Sequence, residues 1–232
     1  NPLGMVAAEA RSLSGPLSVN RSMTIRARVR NGSEWSDLRV AAFTADQDFS
    51  KLFFSELMYH PRDAGDVSEF IELKNTGAVP LDLSGLRMRT LENPQLFTFP
   101  AGSQIAPGAF FVLIRLEAAF RAMHPTAPFH GIYSGSLDNF ADDVILERDG
   151  AIAARVFYGT YPPWQVVPDN HGYFPGDGVG FSLVRTTFDP APAPTDHRPW
   201  RASAHRFGSP GADDPASGVP PIVVNELLTR GS

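Results

Sequence analysis

The stretch 52–76, LFFSELMYHPRDAGDVSEFIELKNT, decides the fold. It reads as two β-strands and the loop between them. Residues 52–59 are rich in Phe, Leu and Met, with Ser55 and Glu56 set into the run. Residues 69–74 alternate. Ile71 and Leu73 lie on one face and Glu72 and Lys74 on the other, the period of two that marks a half-buried strand. Between the runs, Pro61, Asp63, Gly65 and Asp66 are loop formers. Glu56 stands in an otherwise apolar strand, so a hydrogen-bond partner is expected for it, because burying an unpaired carboxylate is costly.

Upstream, residues 22–30 (SMTIRARVR) alternate, and Asn31-Gly32 follows at once, a strong hairpin signal. Residues 35–43 supply the return strand, and 45–51 form a polar linker. Downstream, 86–90 and 95–99 read as short strands. Residues 109–113 are apolar on both faces, as in a central strand. Residues 116–124 are the one good helical stretch, with Leu116, Ala119, Phe120 and Met123 on one face and Pro125 ending it. An edge strand is expected within 131–137. A hairpin is expected from 144–148 and 151–158, turning at Asp149-Gly150. A long Pro- and Gly-rich loop fills 161–180, and 181–185 form the last clear strand. The expected core includes Ile71, Leu73, Val112, Ile114, Leu146, Ile152 and Val156.

The 232 residues are 43% hydrophobic, enough for a packed core, and 20 Gly with 21 Pro suit many turns between short strands. A net charge of −5 without a Lys/Arg cluster argues against a phosphate-binding surface, so no nucleic-acid partner is expected. Zero Cys excludes disulfides and thiolate metal sites. No apolar run approaches the roughly 20 residues that span a bilayer, so no membrane insertion is expected. Residue 1 is not Met, and the chain is expected to be a piece of a longer protein.

The opening strands, with Asn75-Thr76-Gly77 and Leu81-Asp82-Leu83-Ser84-Gly85, resemble the bacterial lamin-tail domain. So do Leu137-Asp138-Asn139, Val144-Ile145-Leu146, Trp164, the run 177–185, Trp200-Arg201-Ala202-Ser203 and Gly208-Ser209-Pro210-Gly211, in that order. The loop 161–174 looks longer than the family's usual version. The resemblance implies an all-β, immunoglobulin-like β-sandwich without hydrolase activity. Residues 14–38 resemble the end of a chitobiase C-terminal-like, immunoglobulin-like module. Ile222-Val223-Val224-Asn225-Glu226-Leu227-Leu228 repeats the pattern of the first opening strand. The expected organisation is therefore a partial β-module over 1–46, the lamin-tail domain over 52–217, and the first strand of a following repeat over 222–232. That strand, lacking partners of its own, is expected to pair with a sheet edge or fray. The resemblance implies a non-catalytic adhesion or interaction module of a large secreted or surface-attached bacterial protein. Its partners would be a protein or glycan at the cell surface and neighbouring domains of the same chain. A carbohydrate-binding module, or an accessory domain of an enzyme, is the alternative.

Few residues suggest chemistry. Glu56 and Glu72 stand on neighbouring strands, as glycosidase carboxylates can, but the plainer reading gives each a structural hydrogen bond. Asp138, Asp142 and Asp143 lie within six residues, a set of hard oxygen donors suited to calcium, though without a dedicated loop's order of ligands; as turn formers they need no ion. No other cofactor is expected. The six His form no close pair, and no nucleophile elbow or phosphate loop is present. Tyr158, Tyr161, Trp164, Tyr173 and Phe174 crowd one loop region, where they could hold a sugar ring or a protein partner, or plug the end of the sandwich.

Overall fold

The computed structural model describes residues 10–19, 23–43, 47–62, 66–161, 164, 178 and 180–215. The chain divides into two compact units, Asn1–Asp48 and Phe49–Ser232. The first carries β1 (Met23–Ala27), β2 (Arg30–Asn31), β3 (Glu34–Trp35) and β4 (Arg39–Phe43). β1 pairs antiparallel with β4, and β2 with β3. The turn falls one residue later than the sequence suggests. Asn31 pairs with Glu34, so Gly32 and Ser33 are the central residues, and only Gly32 has positive φ, as a type II′ turn requires. The Trp35 ring takes the Arg28 guanidinium at 4.5 Å and that of Arg30 at 5.5 Å.

The second unit is an all-β, immunoglobulin-like sandwich with one short helix. Its elements are β5 (Leu52–Met58), β6 (Phe70–Asn75), β7 (Leu81–Asp82), β8 (Arg87–Arg89), β9 (Phe97–Thr98), β10 (Gln104–Ile105), β11 (Phe110–Ile114), α1 (Glu117–Met123), β12 (Gly131–Ile132), β13 (Ala141–Arg148), β14 (Ala151–Gly159), β15 (Leu183–Arg185) and β16 (Trp200–Ala202). One sheet has the order β12-β11-β6-β5-β15-β16, the other β14-β13-β8-β9, and β7 pairs with β10. The core lies between the sheets. Leu57, Ile71 and Leu113 of one meet Met88, Val144, Leu146 and Val156 of the other. β11 is buried on both faces, as its apolar run requires: Phe111 and Leu113 enter this core, while Val112 and Ile114 pack with Phe120 of α1 on the outer face of the six-stranded sheet.

A β-bulge organises the opening strand. Phe54 pairs with Leu73 and Glu56 with Glu72, which leaves Ser55 as the extra residue. The extra residue explains the odd spacing of the core positions. Leu52 and Phe54 before the bulge, and Leu57 and Tyr59 after it, all reach the same core. It also puts the Ser55 hydroxyl beside Glu72, on the outer face.

Three expectations are corrected. Ile152, expected in the core, is 55% exposed. Leu146 pairs with Ala154 but Glu147 with Ile152, so Ala153 is bulged and Ile152 turns out with Glu147. On α1 only Phe120 is buried, while Leu116 and Met123 stay exposed, because seven residues give too short a face to bury more. The 69–74 strand is buried on both faces rather than one; Glu72 is 1% exposed. The hairpin at Asp149-Gly150 forms as expected, with φ of 49° and 85° at its two central residues, a type I′ turn. The strand β16 was not legible as a strand in the sequence. The repeat over 222–232 lies outside the described residues.

Candidate functional site

Two clusters of buried carboxylates organise the sandwich, one on the outer face of the six-stranded sheet and one at a sheet end. In the first, Glu56 and Glu72 are direct cross-strand partners on β5 and β6. The segment after β16 closes over them. Glu56 accepts the Ser182 hydroxyl and the Ser209 N–H, the latter at 3.0 Å. Glu72 accepts the Ser55 hydroxyl at 2.6 Å and the Gly211 N–H at 2.6 Å. The segment is fixed further by Asp214, whose side chain is 1% exposed and which takes Arg201, the Ala204 N–H at 2.9 Å and the Ser209 hydroxyl at 2.9 Å. Ser55, Glu56 and Glu72 form the floor of a cleft of about 350 Å³, with Phe110, Arg185, Phe188, Arg201 and Asp213 around it.

Burial pushes the Glu56 carboxyl up to about 7, against the lowering by its hydroxyl and amide donors. Burial, then the charge of Glu56, pushes Glu72 up to about 8. Burial also pushes Glu69 up to about 7. Each native value stands above the ordinary carboxylate value of 4.5, so the folded state holds protons that the unfolded chain releases. This contribution to stability is complete below pH 4.5 and is lost as pH rises through 7 to 8. Each retained proton lowers stability by about 1.4 kcal/mol per pH unit within that window. Urea unfolding followed from pH 5 to pH 9 should show the midpoint falling, and falling less steeply in Glu56→Gln.

The second cluster centres on Glu69, which is fully buried just before β6. It accepts the Tyr133 hydroxyl at 2.8 Å and the Leu137 N–H at 3.1 Å, with Arg115 at 3.3 Å. These bonds hold the 133–140 loop. Beside the loop lies a cleft of about 390 Å³ lined by Asp66, Glu92, Asp138, Asn139, Phe140 and Asp142 among others. Phe140 is 63% exposed, and its ring lies 5.3 Å from that of Tyr161, itself 38% exposed. Leu91, between two lining residues of this cleft, is also exposed.

The structure sorts the residues singled out in the sequence. Asp138 and Asp142 come together: Asp142 Oδ2 accepts the Asp138 N–H at 3.4 Å. Asp138 Oδ1 takes the N–H groups of Phe140 and Ala141, and Asp142 Oδ1 those of Leu91 and Asp143. Asp143 is turned to Arg155, 2.5 Å away. Among the described residues no group of three or more His, Asp or Glu is placed to hold a metal ion. Tyr158 is fully buried, stacks on Tyr59 at 4.4 Å and donates to the Asp138 carbonyl at 2.7 Å. Trp164 is buried against Phe157 and Trp200. Both rings therefore fill the sandwich, and of the three that are described Tyr161 alone offers a face to solvent. Tyr173 and Phe174 lie outside the described residues. Sequence reasoning missed Phe140, Glu69 and the donors Ser182, Ser209 and Gly211. Phe140, a large apolar residue directly after the turn formers Asp138 and Asn139, carried a readable signal; the others did not.

Residues 45–160 match the family model of the Lamin Tail Domain. No curated protein matches the chain. Among solved structures, a DUF4876 family protein from Bacteroides thetaiotaomicron is similar at 11% identity, over 92% of this chain and 86% of that chain, with a TM-score of 0.42.

Proposed function

The chain belongs to the lamin-tail domain family, whose model spans half of it, and on that premise we propose that it is a non-catalytic interaction module of a larger, secreted or surface-attached bacterial protein. The carrying observation is the exposed apolar group Leu91, Phe140 and Tyr161 around the 390 Å³ cleft. Exposed aromatics clustered around one cleft mark a binding surface rather than a core. The buried carboxylates support the absence of turnover. Glu56 and Glu72 are each 1% exposed, and both accept hydrogen bonds from the chain's own hydroxyl and amide donors.

A second reading, carbohydrate binding, is favoured by the tilted Phe140–Tyr161 pair beside the polar lining of the same cleft. Purified chain, applied to arrays of cell-surface proteins and of glycans and assayed on phosphodiesters and glycosides, tests both. The interaction reading expects retention on protein spots, lost in Phe140→Ala, and no turnover. Retention on glycans alone would transfer the surface to the second reading. Turnover lost in Glu56→Gln or Glu72→Gln would overturn both.

A further inference from the structure

The cleft beside the 133–140 loop has a one-sided charge. The carboxylates of Asp66, Glu92, Asp138 and Asp142 line it, and no Lys, Arg or His does. Among the described residues, no ion pair takes up any of the four. Arg115 donates to the Asp66 carbonyl at 3.1 Å, but its guanidinium is turned to Glu69 at 3.3 Å. Asn139, in the same lining, gives its Nδ2–H to Asp66 at 2.9 Å, and its Oδ1 is buried without a donor among the described residues. A buried acceptor without a donor is costly, so the cleft favours a ligand that brings N–H groups. Asp138 Oδ1, both Asp142 oxygens and Asp66 Oδ2 already accept the chain's own N–H groups. The cleft therefore offers charge more than a free set of ligand oxygens. At its rim stand Phe140 and Tyr161, both exposed, their rings 5.3 Å apart at 33°, and exposed Leu91 lies between two lining residues.

From exposed rings set beside unpaired carboxylates we infer that this cleft takes an arginine-bearing segment of a partner protein. The inference rests on the interaction reading above and names the partner's chemistry. A guanidinium is planar and weakly hydrated, and it can lie on an aromatic face while its in-plane N–H groups turn to acceptors. Here the face is that of Phe140 or Tyr161, and the acceptors are the carboxylates and Asn139 Oδ1 of the cleft. The apolar stem of the same arginine covers part of the Leu91 and Phe140 surface. The chain makes such contacts in its own packing. The Arg28 guanidinium lies 4.5 Å from the Trp35 ring centroid, and that of Arg121 4.8 Å from the Phe129 ring centroid. A lysine brings the same charge without the flat face. A neutral sugar covers the rings and leaves the four carboxylates unanswered. The net charge of −5 acts in the same direction, drawing a basic partner from a distance.

Fluorescence anisotropy of the full chain with three labelled peptides tests this. One alternates Arg with Gly, the second has Lys in place of Arg, and the third has citrulline, the neutral isostere. The Arg peptide should bind several-fold more tightly than the Lys peptide, and the citrulline peptide not at all. Affinity should fall as salt rises from about 0.05 to 0.2 M. Glu92→Lys, at an exposed lining residue, should weaken the Arg peptide about tenfold, and Phe140→Ala about fivefold. Glu117→Lys makes the same change in net charge on α1, outside the lining, and should alter binding by less than about twofold. Equal weakening by Glu92→Lys and Glu117→Lys, or equal binding of the Arg and Lys peptides, would reduce the effect to general charge attraction and overturn the inference. So would a chain that is retained on protein spots through Phe140 yet ignores the Arg peptide; the interaction reading then stands with a partner of other chemistry. Retention on no protein spot overturns the interaction reading itself, and this inference with it.

Discussion

Gly208→Ala should lower the stability of the domain by about 3 kcal/mol, the sum of a left-handed backbone penalty and a disturbed buried carboxylate. Gly208 has φ +77°, and a methyl group built there would sit 2.0 Å from Glu56 Oε1 and 2.8 Å from the Ser182 hydroxyl. Neither neighbour can give way. Glu56 is fixed by Ser182 and Ser209, and Ser182 is itself fully buried. The added carbon must instead lift the 208–211 turn, which takes the Ser209 amide from Glu56 and the Gly211 amide from Glu72. Thermal unfolding followed by circular dichroism would read this as a drop on the order of 10 °C for a domain of this size. A change of a degree or less would mean that the turn does not seat on the carboxylates.

Glu69→Ala is expected to be as damaging, again by about 3 kcal/mol, because it strands buried partners rather than removing one contact. Without the carboxylate, the Tyr133 hydroxyl and the Leu137 N–H are left inside the protein with nothing to accept them. Glu69→Gln keeps an oxygen for both donors and should cost clearly less. The two substitutions differ in function as well as stability. The loop from Tyr133 to Leu137 leads directly into Asp138, Asn139 and Phe140, so Glu69→Ala should also weaken whatever binding Phe140 supports. Chemical denaturation of both variants, with retention on the array surface that the wild type prefers, separates the effects. Equal losses in the two variants would contradict the hydrogen-bonding role.

How much of this was legible varies by the range of the interaction. The alternation of Ile71 and Leu73, the two-sided apolar run of β11 and the Asp149-Gly150 turn are local patterns, and each gave its element. The features that failed are set by distant chain. Glu72 looks solvent-facing on its own strand, and it is buried because Gly211 returns from 139 residues away. Bulges are also hidden from simple alternation. Ser55 could be suspected, since Phe54 and Leu57 are three apart yet both apolar, but nothing around Ala153 announces the shift that turns Ile152 outward. Asn31-Gly32 placed the hairpin correctly and its turn one residue early, because Gly alone satisfies the first position of a type II′ turn. Of the residues singled out in the sequence, Asp138 and Asp142 line the cleft of about 390 Å³ and Tyr161 packs by its Phe140. Sequence reasoning also included Tyr158 and Trp164, since an aromatic residue near a loop has no local mark that distinguishes a plug from a platform.

The outer-face carboxylates serve the chain itself, as seats for the closing segment. Amide hydrogen exchange at Ser209 and Gly211 measures this most directly, since both N–H groups belong to an irregular segment and their acceptors are Glu56 and Glu72. Protection at both positions should be comparable to that of β5 and β6, lost first at Ser209 in Glu56→Ala and first at Gly211 in Glu72→Ala. Exchange at both amides as fast as in an exposed loop would contradict it.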